Sequence, residues 1–348
     1  MKFLTKKTQT LTPYVAGIQP QEPGWIKLNT NENPYPPSPK VAETIANFSL
    51  DNLRLYPSGD STQLKNAIAV RYGVNPRNVF CGNGSDEVLA LAYQAFFSGK
   101  TVQTPDISYG FYPVWANMYD VTTQEIPVDE NFTIDTTSYK GAEGVIIANP
   151  NAPTAQALTL AEVEEIVKNN PQAVVLIDEA YIDFSTEKSA VPLTEKYENL
   201  LVVQTFSKSY ALAGMRVGFA IGSLALIDGL GRMKDAFNSY PLDAIAQRAA
   251  SAAISDAPYW DETRKKVMTT RENVRKALQD QGHKVPESHT NFIFFKPKEP
   301  KTAREWYEHL LENKILVRYW DKPRIGDYLR VSIGTDQEME AFLQCMKP

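Results

Sequence analysis

Between residues 78 and 221 the chain repeats one pattern: a short apolar run, then a stretch of helical period, then another run. The runs fall at 79–81, 101–104, 144–148, 173–178, 200–205 and 217–221. Each is too short for a helix and too continuously apolar for a strand with one wet face, so each reads as a strand covered on both sides. Thr159-Leu160-Ala161-Glu162 opens one intervening segment with a capping box, and Val163, Ile166 and Val167 then share one face. Repeated strand-helix-strand units imply an α/β fold with a mostly parallel central sheet flanked by helices, whose ligands gather beyond the carboxyl ends of the strands.

The flanks read differently. Residues 1–35, rich in Pro, Asn and Gly between 13 and 39, show no sustained period and are expected to be an arm, one that could reach a partner subunit. Beyond 240 come a long polar helix at about 259–281, a strand at 291–296, a helix through 306–311 and strands near 315–319 and 328–333, an α+β pattern. Helices at 40–47 and 62–72 are expected to join it. The expected division is therefore a large domain at 73–240 and a smaller, discontinuous α+β domain at 36–72 and 241–348.

With 348 residues, 43% of them hydrophobic, the chain can bury a large core. A net charge of −5 without a long basic block argues against a nucleic-acid partner. Cys81 and Cys345 are too few for a disulfide framework, and neither a signal peptide nor a membrane span is expected, so a cytoplasmic location is. His283, His289 and His309 stand at no ligand spacing, so no metal site is expected.

Chemistry is sought where strands end. Gly82-Asn83-Gly84-Ser85-Asp86-Glu87 leads from a strand into a helix, and a helix N-terminus presents free N–H groups to a phosphate; Ser85 or Asp86 could equally be a simple cap. Asp178 ends an apolar strand, where an unpaired carboxylate is costly, so it calls for a cationic partner such as a protonated pyridine nitrogen; Tyr181 stands three residues on. Ser207-Lys208 follows the next strand, and a partly desolvated lysine amine suits Schiff-base formation. Arg216 adds a guanidinium able to grip a phosphate with two hydrogen bonds, and Ser207 a hydroxyl. Singly, each has an ordinary structural explanation.

Together, Asn149-Pro150-Asn151-Ala152-Pro153-Thr154, Asp178-Glu179-Ala180-Tyr181 and Ser207-Lys208 with Leu212-Ala213-Gly214-Met215-Arg216 resemble, in order and spacing, the signature of fold-type I aminotransferases. Leu28-Asn29-Thr30-Asn31-Glu32-Asn33-Pro34, Leu55-Tyr56-Pro57, Asn291-Phe292 and Leu329-Arg330-Val331-Ser332-Ile333-Gly334 are similar to the histidinol-phosphate aminotransferase group, and that resemblance spans nearly the whole chain. It implies pyridoxal phosphate held by Lys208, with Gly84, Ser85, Asp86, Ser207 and Arg216 around its phosphate and Tyr109 stacked on its ring. Asn151 and Tyr181 would contact the ring hydroxylate and Asp178 the ring nitrogen. Tyr56 would reach the neighbouring subunit's cofactor, which requires a homodimer with a shared active site. Arg330 would receive the substrate's anionic group, aided by Arg318, Tyr14, Tyr109 and Asn33; for Arg318 and Tyr14, a surface cation and an arm aromatic remain alternatives.

The activity implied is ping-pong transamination between L-histidinol phosphate and 2-oxoglutarate, with small molecules as the partners. Aromatic aminotransferases and threonine-phosphate decarboxylases share most motifs and stand as alternatives. A transcription regulator of this fold would need a helix-turn-helix segment, for which the first 30 residues of an acidic chain are not expected to provide. Ala152 and Ala155 replace the second Asn and the Gly usual in the group's motif, so a different local turn is expected there without loss of activity.

Overall fold

The computed structural model describes residues 2–347. Its strands are β1 (Ile26–Lys27), β2 (Val79–Asn83), β3 (Thr101–Pro105), β4 (Thr122–Ile126), β5 (Gly144–Ala148), β6 (Val174–Asp178), β7 (Leu200–Thr205), β8 (Val217–Gly222), β9 (Phe292–Phe295), β10 (Ile315–Leu316), β11 (Arg318–Tyr319) and β12 (Leu329–Ser332). The α-helices are α1 (Lys6–Thr10), α2 (Pro39–Ala46), α3 (Thr62–Tyr72), α4 (Gly84–Ala92), α5 (Tyr112–Met118), α6 (Leu160–Asn169), α7 (Leu224–Phe237), α8 (Ala244–Ile254), α9 (Ala257–Asp280), α10 (Ala303–Glu312) and α11 (Asp336–Cys345).

A seven-stranded sheet, ordered β2-β8-β7-β6-β5-β3-β4, forms the centre. Neighbours pair in parallel except around β8, which runs against both β2 and β7. The reason is local. Parallel return needs a crossover long enough for a helix, whereas the link 206–216 contains a single 3-10 turn, Ala213–Met215. The expected runs are all strands of this sheet, and side chains alternate between its faces. Val145, Ile147, Val175 and Ile177 enter one core with Leu64, Ile68, Val163 and Ala250; Ile146, Leu176 and Val203 enter the other with Val88, Trp115 and Leu230. Strand β4 lacks an apolar run because it lies at the sheet edge with mixed exposure.

Helices α2 and α3, expected alongside residues 241–348, meet that segment through α8 and also reach the large sheet. They pack on α8, and Val41, Leu64 and Ile68 share a core with Val79 and Ile221 of the large sheet and with Ala246 and Ala249 of α8. Burying one such side chain is worth about 1.5–3 kcal/mol. The α+β unit gathers α9, α10 and α11 around the β11-β12-β9 sheet, with Leu28 and Phe184 in its core. The run at 315–319 is two strands rather than the one expected: β10 pairs with β1 of the arm, while β11 pairs with β12 and sets Arg318 opposite Arg330.

Candidate active site

The carboxyl ends of β3, β5, β6 and β7 open on a cleft of about 410 Å³ closed from above by the arm. At its base the backbone of β8 touches the start of α4. A Cβ at Gly218 would lie 2.2 Å from Ser85 N, and one at Gly84, whose φ is +80°, would lie 2.5 Å from Arg216 Nη2. Both positions therefore need glycine. The Arg216 guanidinium sits over the helix start, with Nη2 3.1 Å from Asp86 Oδ2 and Nη1 donating to Ser207 Oγ (3.4 Å) and Ala213 O (3.2 Å). Tyr109 Oη donates to Asp86 Oδ1 at 3.0 Å. Ser85, Asp86, Tyr109, Ser207 and Arg216 are thus brought together as expected. The Asp86 side chain orients Arg216 and Tyr109, so what this residue offers an anion is its backbone N–H at the helix start. Burial, reinforced by the Asp86 charge, pushes the Tyr109 phenol well above its usual range.

Behind the cleft Asp178 ends β6 at 4% exposure, its Oδ2 accepting from Tyr112 Oη (2.9 Å) and its Oδ1 from Ala180 N (3.2 Å). Both partners are neutral, and burial raises its carboxyl from 3.8 to about 6. Tyr112 was not anticipated: it opens α5 beside Pro113, seven residues beyond the end of β3. Lys208 is half-buried, its Nζ 3.3 Å from Thr30 O and 5.7 Å from the Tyr181 ring centre. Tyr181 Oη accepts from Asn31 Nδ2 at 2.9 Å, and its ring meets Phe292 edge-on. Asn31, like Thr205 and Glu32, lines the cleft without having been singled out. Its backbone φ of +57° and bonds to Ser332 and Asn291 stitch the arm across the site, contacts far apart in sequence.

Two of the expected site residues bond to the protein's own groups. Asn33 does not line the cleft: its Nδ2 donates to Lys208 O (3.0 Å) and Ser209 O (3.2 Å), bracing the lysine's backbone rather than facing a substrate. Asn151 is fully buried, with Nδ2 donating to Ile107 O and Thr154 Oγ1, both at 2.9 Å, and Oδ1 accepting from Ser108 Oγ at 2.9 Å. Its amide is committed to the protein, and Pro150 and Ala152 form the wall instead. Ala155 takes φ +64°, the left-handed conformation natural to glycine. The turn expected to change thus keeps the conformation a glycine would adopt, and Ala155 packs with Ala152, Tyr181 and Phe292.

At the opposite end Arg318 and Arg330 face each other across β11 and β12. Among the described residues no carboxylate lies within salt-bridge range of either. Arg330 Nη2 donates to Asn29 O (2.9 Å) and Arg318 Nη2 to Val15 O (3.0 Å), but Arg330 Nε is buried with no protein partner. Burial first, and the Arg318 charge next, push the Arg330 guanidinium down. Two like charges set opposite one another are costly unless an anion joins them. Tyr14 lines the same end, stacked on Phe111 at 4.4 Å. Glu32 also reaches the cleft; burial pushes its carboxyl up, but hydrogen bonds from Lys27 and Thr30 outweigh that and leave it low. Tyr56 is not in this chain's cleft: it is 83% exposed and stacked on Tyr240.

The residues fit pyridoxal phosphate. The α4 N-terminus with Arg216 and Ser207 suits its phosphate, Asp178 is a buried carboxylate with no ion-pair partner among the described residues, and Lys208 lines the same cleft as the arginine pair.

The family model for aminotransferase class I and II matches residues 23–345. The chain is 49% identical over 342 residues to histidinol-phosphate aminotransferase of Lactococcus lactis subsp. cremoris (strain MG1363), covering 97% of this chain and 95% of the relative. It is 50% identical over 343 residues to histidinol-phosphate aminotransferase 1 of Bordetella parapertussis, covering 97% and 96%. In fold it is similar to the crystal structure of histidinol-phosphate aminotransferase from Sinorhizobium meliloti in complex with pyridoxal-5'-phosphate, with TM-score 0.89, 22% identity, and coverage of 99% of this chain and 97% of that one. With the cradle, the lysine and the buried aspartate in one cleft, the chain belongs to the class I and II aminotransferase family.

Proposed function

We propose that the protein transfers an amino group between L-histidinol phosphate and 2-oxoglutarate, with pyridoxal phosphate on Lys208. The observation that carries the substrate reading is the Arg318–Arg330 pair, which lacks a carboxylate partner among the described residues. A guanidinium accepts a carboxylate or a phosphomonoester equally well, so one site serves both substrates in turn and the kinetics are ping-pong. When bound, the cofactor supplies an electron sink beside the amine-bearing carbon. The protein does the rest. Lys208 Nζ removes and returns the Cα proton. Asp178 holds a negative charge behind the ring, and Tyr109 and Tyr181 fix its plane.

We further read the protein as a cytoplasmic homodimer. Leu50, Leu53 and Leu55 are 74%, 57% and 54% exposed beside Tyr56, an apolar surface that a second copy would cover while Tyr56 reaches that copy's phosphate cradle. Both cysteines are unpaired, and no helix among the described residues is long and apolar enough to cross a membrane.

Purified protein assayed with 2-oxoglutarate and histidinol phosphate, phenylalanine or phosphothreonine tests the reading. Glutamate should form fastest with histidinol phosphate; preference for phenylalanine, or carbon dioxide release from phosphothreonine, would replace the assignment with one of those activities. Lys208→Ala should abolish both the visible absorption of the lysine-linked cofactor and turnover, and an unchanged spectrum would remove Lys208 from its role.

A further inference from the structure

The two arginines that face the substrate's anion lie on the α+β unit, whereas Lys208, Tyr109 and the phosphate cradle lie on the large sheet. Their separation depends on how the two units are joined near the cleft. One connection stands out. Six residues beyond Arg318, Arg324 leaves the α+β unit and grips the large one: Nη1 lies 2.5 Å from Asp106 Oδ2, and Nη2 donates to Val128 O (2.6 Å) and Asp129 O (3.0 Å). Its φ of +67° is one an arginine adopts only when its surroundings hold it there.

Both ends of this clamp are attached to the site. On one side, the segment that carries Arg324 begins at Arg318 in β11, and its Trp320 ring lies 5.4 Å from the Arg318 guanidinium and 5.1 Å from that of Arg330. Tyr328 follows, stacked on Phe294 at 4.7 Å and edge-on to Phe132 of the large unit at 5.1 Å. On the other side, Asp106 opens the loop after β3. Ile107 and Ser108 of that loop hold the Asn151 amide, and Tyr109 forms the cofactor face. Asp106 Oδ1 also accepts from Val128 N at 3.0 Å, so Arg324 binds a part of the large unit that is itself braced. Arg324 does not line the cleft, and its charge is met by Asp106, which separates it from the arginines that await an anion.

We propose that Arg324 is a positioning residue for the acidic end of the substrate: by tying the β11–β12 segment to the Asp106–Tyr109 loop, it sets the distance from the Arg318–Arg330 pair to Lys208. The proposal rests on the reading of that pair as the anion site. Misplacing a binding group by about an ångström is enough to cost one to two orders of magnitude in binding or rate. Loss of the clamp should therefore weaken the hold on dicarboxylate and phosphomonoester alike, while the groups that carry the chemistry stay in place.

The test uses full-length holoenzyme with Arg324→Ala, Arg324→Lys and Asp106→Asn. The readouts are steady-state constants for 2-oxoglutarate, the equilibrium dissociation constant of 2-oxoglutarate from the cofactor-loaded protein by spectral titration, cofactor retention and melting temperature. For Arg324→Ala, KM and the dissociation constant should rise about tenfold, with kcat held within about threefold and the cofactor retained. Arg324→Lys, which keeps the charge and loses the fork, should fall between it and the wild type; Asp106→Asn should resemble the alanine variant. Unchanged KM and dissociation constants in well-folded variants would overturn the proposal. So would equal losses of melting temperature, cofactor and kcat with KM unmoved, the signature of a purely structural bond. Should Arg324→Ala fail to fold, the lysine and asparagine variants decide by the same criteria. An Arg330→Ala control keeps the two readings apart: if it leaves 2-oxoglutarate affinity intact, the anion site itself is misassigned, whatever Arg324 does.

Discussion

Replacing Asp178 by asparagine tests the electrostatic logic of the site. Burial raises the Asp178 carboxyl from 3.8 to about 6, and a shift of that size corresponds to about 3 kcal/mol. In cofactor-free protein this energy opposes folding. The folded state holds the proton more tightly than the unfolded chain, so the penalty is absent below about pH 3.8, grows as pH rises, and is complete above about pH 6. A cation against the carboxylate reverses the balance, and a protonated ring nitrogen is such a cation. Asp178→Asn preserves size and an acceptor for Tyr112 Oη while removing the charge. Cofactor-free Asp178→Asn should therefore be more stable than wild type at neutral pH by up to about 3 kcal/mol, less about 1 kcal/mol if the Ala180 N–H bond is impaired. Its cofactor affinity should fall. The ratio of wild-type to variant affinity should rise about tenfold between about pH 5 and pH 7, as the wild-type carboxylate ionises, while the titration of the free cofactor and of its phosphate, held alike in both proteins, cancels in the ratio. Denaturant unfolding of the cofactor-free proteins and spectral titration with pyridoxal phosphate measure both quantities. Parallel pH dependences in wild type and variant would refute the pairing of Asp178 with a cation.

Three further outcomes follow from the geometry. Glu179, 2% exposed and raised by burial to about 7, accepts from Ala190 N, Ser189 Oγ and Gln204 Nε2; because its folded pKa is raised, it should make the protein less stable as pH climbs from about 4.5 to about 7, by about 3 kcal/mol, and Glu179→Gln should flatten that slope in pH-dependent denaturation, a persisting slope pointing elsewhere. Gly84→Ala would set a methyl 2.5 Å from Arg216 Nη2 in a backbone conformation strained by about 1–2 kcal/mol, so cofactor retention on dialysis should drop at least about tenfold, and wild-type retention would contradict the cradle. Ala155→Gly relieves left-handed strain of about 1 kcal/mol but removes a buried methyl worth about 0.8 kcal/mol and loosens the unfolded chain; melting should show a net change below about 1 kcal/mol with KM unaltered, and a loss above about 2 kcal/mol would mean the methyl's packing dominates.

Much of this protein could be read from its linear order, because the signals concerned are local. An apolar run such as Val174–Asp178 must be covered on both faces wherever it lies, the Thr159 capping box satisfies helix N–H groups within one turn, and Gly84 before Ser85 opens a helix by backbone geometry alone. Lys208, Asp178 and Arg216 belong to this class: Asp178 ends and Lys208 follows a parallel strand, and Arg216 precedes the antiparallel β8, so all three come to one edge of the sheet.

What only the tertiary structure decided depends on partners distant along the chain. The packing of α2 and α3 depends on Ala246 and Ile221, which lie far along the chain from Leu64. Asn33 and Asn151 are amides whose residue type suits a ligand or a backbone carbonyl equally. Lys208 O and Ile107 O settled which each meets, after the arm had crossed the sheet. Tyr112 gained meaning from Asp178, and Arg324 from Asp106, across folds of the chain that no local period records. Secondary structure and strand-end chemistry follow from neighbours in sequence; the partner of a polar side chain follows from neighbours in space, and those exist only once the core has closed.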